Sequence, residues 1–337
     1  MRFIGTVVGT SILALATAAA AQEVNVYSAR HYDTDDEIFA AFTEATGIEV
    51  NLIEAGADEL IQRIEAEGAN SPADVLVTVD AGRLWRAEEA GMFQPIDSAV
   101  LNERIPEHLR HPEGLWFGFS KRARVIIYNE EMGRPAGLET YEDLADPAFE
   151  GEICIRSSSN IYNQSLLASI IEAHGAEAAE DWAAGVVANM ARDPEGGDTD
   201  QINAVAAGQC SIGVVNTYYI GRLLASDDEA DRAVGEAVGV IFPNQEDRGT
   251  HVNISGAGVA ANAPNREEAI AFLEFLASDE AQALFALGNN EYPAVDGVPV
   301  SGPITGFGAF TEDELNASVL GENNPEAVMI FDRVGWQ

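Results

Sequence analysis

Lysine is almost absent from this chain. Lys121 is the only one, and 18 basic residues face 56 acidic ones for a formal net charge of −38. That balance excludes nucleic acid as a partner, because phosphate neutralisation calls for Lys and Arg. The acids are dispersed along the sequence, so they form a solvated surface rather than an acidic tail. A high-salt habitat accounts for such a surface. Cysteine is nearly as scarce: Cys154 and Cys210 are the only two. Both sit where a strand pattern begins, and an oxidising compartment favours their pairing, with two buried thiols as the alternative. Catalytic signatures are missing too. There is no nucleophile elbow, P-loop, His-Glu-x-x-His zinc motif, Cys–His signature or dinucleotide fingerprint. The chain reads as a binding protein and not as an enzyme.

Long apolar runs are confined to the start. Arg2 precedes an apolar stretch from Phe3 to Ala16, and Ala18 to Ala21 supply small residues for cleavage after Ala21. Residues 1–21 therefore read as a signal peptide, too short for a membrane-spanning helix. No Cys follows it to carry a lipid, and the expected destination is the periplasm. About 315 residues then remain, enough for one large or two medium domains.

The rest alternates between two periodicities. Glu23 to Tyr27 reads as a strand, 33–45 as a helix with Thr34 as N-cap and Gly47 as its stop, and Ile48 to Ile53 as a second strand. A helix over 57–67, a continuously apolar strand over 74–79 and a helix over 83–90 follow. Two strand-like runs lie within 116–128. Further on come a strand over 152–156, a helix through Leu166 and Ile171, and helices over 180–190 and 200–207. Strand 211–215 precedes a helix opened by Tyr218, strands at 238–242 and 256–261 follow, and helices over 265–277 and 279–286 come near the end. Such alternation implies βαβ units in a parallel or mixed sheet. The size of the chain and the stretch Lys121 to Val125 suggest two α/β lobes joined by crossing strands. Ligands of such a plan usually sit in the interlobe cleft, and hinge closure is its usual motion.

Tyrosine carries the chemistry. Tyr218 and Tyr219 follow Asn216-Thr217, an N-cap signal, and Tyr162 follows the small polar run Ser157-Ser158-Ser159-Asn160. Neighbouring helical residues point about 100° apart, so adjacent tyrosines can share one ion only at an irregular helix start. Phenolate is a hard anionic ligand suited to hard cations, and several beside one imidazole point to ferric iron. Four phenolates around Fe(III) leave one excess negative charge if the histidine is neutral. A buried net charge is costly without a partner, so arginines are expected nearby. The remaining tyrosines, Tyr27, Tyr128, Tyr141 and Tyr292, read as packing residues.

Four segments carry a family resemblance: Val26 to Tyr32 (Val-Tyr-Ser-Ala-Arg-His-Tyr), Gly114 to Arg124, Arg156 to Asn163 and Asn216 to Tyr219 (Asn-Thr-Tyr-Tyr). In this order they resemble the periplasmic ferric-iron-binding proteins of bacterial ABC importers, over essentially the whole mature chain. The resemblance implies a two-lobed, type II, transferrin-like periplasmic binding fold, with lobe 1 at 22–121 plus 247–294 and lobe 2 at 122–246 plus 295–337. It implies His31, Tyr32, Tyr162, Tyr218 and Tyr219 as ligands of Fe(III), the transported cargo. Arg122 and Arg222 match its nearby basic positions, and Arg30 can serve the same end. Full tyrosine and histidine ligation leaves little room for a synergistic anion such as carbonate. The implied partner of the monomeric protein is an inner-membrane ABC permease. The alternative is a binding protein of the same fold for a polyamine, thiamine or an oxyanion.

Overall fold

The structure, a computed structural model, describes residues 22–30, 32 and 34–337. The export segment and His31 lie outside the described residues. The described residues contain nine strands: β1 (Glu23–Ser28), β2 (Glu49–Glu54), β3 (Val75–Val79), β4 (Phe117–Asn129), β5 (Ile153–Cys154), β6 (Ile212–Asn216), β7 (Val238–Ile241), β8 (Val252–Val259) and β9 (Tyr292–Pro293). The order across the sheet is β2-β1-β3-β8-β4-β6-β5, with β7 and β9 also paired to β4. The first three strands run parallel, β8 returns antiparallel beside β3, and β4 runs antiparallel to β8.

The mid-chain region forms one strand of 13 residues where the sequence suggests two runs. The second of those runs opens at Arg124, just after the charged residues Lys121 and Arg122. Arg122 and Arg124 are nonetheless buried at 1% exposure each, because both guanidiniums are paired with buried carboxylates. The first half of β4 pairs with β8 and β9, and the second half pairs with β6 and β7. β4 is therefore the rod that passes from one half of the molecule to the other. β8 also begins earlier than the apolar pattern suggests, since Asn253 and Ser255 are buried against β4 and its neighbours. At Gly256 a Cβ would lie 2.8 Å from the carbonyl oxygen of Phe117. Only glycine lets the two crossing strands approach this closely. The strand expected over 152–156 shortens to Ile153–Cys154, because the Arg156 carbonyl accepts from Asn163 Nδ2 and Trp336 Nε1 instead of a ladder partner.

Hydrophobic packing follows this division. One core gathers Val24, Val26, Leu60, Val75, Leu84, Phe117, Ile254 and Phe272 around β1, β3 and β8. Two more cover the faces of β6 and the second half of β4, one with Ile126, Leu166, Ile170, Trp182 and Val214, the other with Val125, Ile127, Ile202 and Val215. Each fully buried Leu, Ile, Val or Phe contributes about 1.5–3 kcal/mol by leaving water. The last helices span the division: Ala317 and Leu320 pack in the first core, while Ala327, Ile330 and Phe331 pack in the second. Cys154 and Cys210 are disulfide-bonded, with Cα atoms 5.9 Å apart, and the bond ties β5 to the residues just before β6. Among the described residues no helix is long and apolar enough to cross a membrane.

Candidate metal centre

The tyrosine pair opens the helix Thr217–Ala225 directly after β6. The usual helix entry would have the Asn216 side chain capping the first turn. Here Asn216 Oδ1 accepts from Arg124 Nη1 at 3.1 Å and makes no cap, while its backbone N–H donates to Asp198 Oδ2 at 2.8 Å. The diverted cap leaves the first turn free to present both tyrosines to one side. Their rings stack with centroids 4.2 Å apart and planes 30° apart.

Tyr162 sits in the first turn of the helix Ile161–His174, where Asn160 caps normally by accepting from the Tyr162 N–H at 3.0 Å. Its hydroxyl lies 3.2 Å from that of Tyr218. The same helix is fixed to the opposite half of the molecule through Ser165, whose hydroxyl donates to Asp80 Oδ1 at 2.6 Å. Asp80 is buried at φ 79°, caps the helix Ala81–Glu89 and stands at the end of β3. A non-glycine residue held in that backbone region is strained, and here its carboxylate reaches both a helix N-terminus and Ser165. Tyr32 approaches from the other side, on the segment between β1 and the helix Asp35–Thr46.

Arginines surround the rings. Arg222 lies over Tyr32, Tyr218 and Tyr219, at 4.6, 4.9 and 5.7 Å from the ring centroids. Arg30 lies 4.7 Å from Tyr32, and Arg122 lies 5.9 Å from Tyr218. Arg124 and Arg156 flank Tyr162 at 5.8 and 5.4 Å and share Asp198 as their carboxylate. Burial raises the Tyr162 phenol above the ordinary range, and the nearby Tyr219 adds to the rise, while Arg122 opposes it. Burial likewise pushes Tyr218 well up, reinforced by Tyr162, Tyr32 and Tyr219. Both phenols are therefore protonated at neutral pH.

The structure thus brings together Tyr32, Tyr162, Tyr218, Tyr219, Arg30, Arg122 and Arg222. Three partners were invisible in the sequence. Asp198 and Glu291 look like two of many surface acids, yet both are fully buried beneath the arginines. Asp80 carries no signal beyond its place before a helix. Among the described residues no group of three or more His, Cys, Asp or Glu side chains could hold a metal ion.

The profile of the bacterial extracellular solute-binding proteins matches residues 70–303. The chain belongs to that family. Iron uptake protein A1 of Synechocystis is 56% identical over 316 residues, covering 94% of this chain and 88% of its own. A Trichodesmium protein solved in complex with iron and citrate is 60% identical, with a TM-score of 0.92 over 94% of this chain and all of its own. The Fe(3+)-binding periplasmic protein of Serratia marcescens is 29% identical, covering 81% of this chain and 78% of its own. Like the Trichodesmium protein, this solute-binding protein has the two-lobed periplasmic-binding fold.

Proposed function

We propose that the protein captures Fe(III) in the periplasm through Tyr32, Tyr162, Tyr218, Tyr219 and His31, and delivers it to an inner-membrane ABC permease. The observation that carries this reading is the convergence of four phenol rings from both sides of the cleft beneath Arg30, Arg122 and Arg222. The relatives in iron uptake support it.

The chemistry follows from the residues. Tyr162 and Tyr218 are kept protonated by burial, and each must lose its proton to bind the metal. Fe(III) and four phenolates together carry one negative charge, and the guanidiniums over the rings offset it. The bound ion is thereby screened from the acidic surface. The lobe limits expected from the resemblance, at 121/122, 246/247 and 294/295, belong to the same proposal, as does action as a monomer. The protein acts as a carrier and turns over no substrate.

The test is a titration of the chelator-stripped chain with ferric citrate, followed in the visible spectrum. The expected result is a saturable phenolate-to-iron charge-transfer band at one iron per chain, lost in the double variant Tyr218→Phe/Tyr219→Phe. No band, together with no thermal stabilisation by iron, would overturn the reading in favour of an organic solute.

A further inference from the structure

Beneath the tyrosines lies a buried charge network that coordination of a metal does not by itself call for. Glu291 is fully buried in the short connection between the helix Asp279–Asn289 and β9. Its Oε1 accepts from Arg122 Nη2 at 2.6 Å. Its Oε2 accepts from Arg30 Nη1 at 3.1 Å and from the Ser120 hydroxyl at 2.9 Å. The Ser255 hydroxyl accepts from both guanidiniums. One carboxylate therefore gathers the segment that leads to Tyr32 with β4, and through the arginines it also meets β8.

The two arginines are not held equally. Arg30 has a second anchor, since Asp35 accepts from its Nε at 2.7 Å and from its Nη2 at 3.1 Å. Arg122 is 1% exposed, yet its Nε and Nη1 have no hydrogen-bond partner among the described residues. Among the described residues its guanidinium is hydrogen-bonded only through the Nη2 contacts to Glu291 and Ser255. Burial raises the Glu291 carboxyl, but Arg30 and Arg122 outweigh it and hold the group at about 2, so it is ionised at any working pH. A buried carboxylate shared by two arginines is expensive to desolvate and destructive to break. Its place in a binding protein calls for a reason beyond stability.

We propose that Glu291 is a positioning residue for metal capture, setting the places of Arg30 and Arg122 and, through them, of Tyr32 and Tyr218 on opposite sides of the site. The inference rests on the Fe(III) reading above. A guanidinium over a phenol ring favours the phenolate by cation–π attraction, and it does so reproducibly only if something fixes it. Glu291 fixes both from one point, so the rings of the two lobes share a common reference.

The test uses the exported chain, stripped and reloaded with ferric citrate, as wild type, Glu291→Gln, Glu291→Asp and Asp35→Asn. Two quantities are read: the energy of the phenolate-to-iron band, and the rate at which EDTA removes the iron. Residues behind metal ligands typically change affinity by about 10- to 100-fold, and Glu291→Gln is expected to speed iron loss by that order. Its band is expected to move to shorter wavelength, because guanidiniums without their carboxylate lower the energy of the phenolate donor electrons. Glu291→Asp, which keeps the charge with a shorter reach, should fall between. Asp35 also accepts from Asn289 Nδ2 at 3.0 Å, but of the two arginines it holds only the better-anchored one, so Asp35→Asn should change both readouts less than Glu291→Gln does.

A Glu291→Gln protein with wild-type band and release rate overturns the proposal, whatever its melting temperature. Equal effects of Asp35→Asn and Glu291→Gln overturn it as well, since loss of any buried charge would then suffice. If Glu291→Gln does not fold, Glu291→Asp decides, and wild-type behaviour there is the refuting result. Absence of the band in the wild type would instead sink the Fe(III) reading itself.

Discussion

Proton release on metal binding offers the sharpest check on the site. Tyr162 and Tyr218 are both pushed above the ordinary phenol value by burial and by neighbouring phenols. An ordinary phenol ionises near ~10, so each of these two costs more than about 4 kcal/mol to ionise at pH 7. The ligated forms hold no proton. Acid therefore competes with the metal, and affinity falls as pH falls throughout the neutral and acid range. These two groups alone set a floor of two protons per iron, hence a dissociation constant rising by about 100-fold per unit of acidification. The assay is competition with a chelator of known proton linkage at several pH values, beside direct counting of protons released into weak buffer. Tyr162→Phe should remove one proton from the count and about tenfold from the slope per pH unit. Fewer than two protons in the wild type, or an unchanged count in Tyr162→Phe, would refute the ligand role of these phenols.

Three further predictions concern the scaffold. Replacing Cys154 and Cys210 together by Ser opens a link of sequence separation 56 and should cost about 4 kcal/mol in the chain-entropy model, read by denaturant unfolding. Gly256→Ala drives a Cβ against the Phe117 carbonyl and should destabilise by about 1–3 kcal/mol, with weaker iron retention because β4 carries Arg122. Burial, with Arg124 and Arg248 nearby, lowers His251 from 6.5 to about 3. The unfolded chain therefore takes up a proton that the folded one refuses, so stability contributed above pH 6.5 is lost as pH falls towards 3. That slope approaches about 1.4 kcal/mol per pH unit. His251→Asn should flatten the pH dependence of the melting temperature in that window, and an unaltered profile would count against it.

Helix starts and apolar strands were legible because they depend on local chemistry. Asn160 and Asn216-Thr217 mark the turns that carry Tyr162 and the tyrosine pair, and β3 is apolar at every position but Thr78 because helices and strands enclose it. The polar parts of the scaffold were not legible. Asn253 and Ser255 fell outside the strand expected over 256–261, and the carboxylates that pair Arg122 and Arg124 lie far away in sequence: Glu291 is 169 positions from Arg122, and Asp198 is 74 from Arg124. Nor could Asn216 be seen to forgo its cap, since the competing donor is Arg124 on another strand. Periodicity reports which side of an element faces oil. It does not report which charges will meet there.

The continuity of β4 limits how the two halves can move. Its thirteen residues are hydrogen-bonded to β8 and β9 on one stretch and to β6 and β7 on the next. A shear of one half past the other would break ladders on both stretches at once, whereas a twist about the strand's length can leave them whole. Displacement in a twist grows with distance from its axis. Arg122, on the axis itself, would stay nearly still, and Tyr218, whose ring centre lies 5.9 Å from that guanidinium, would sweep only a short arc while the outer helices of each half travelled furthest.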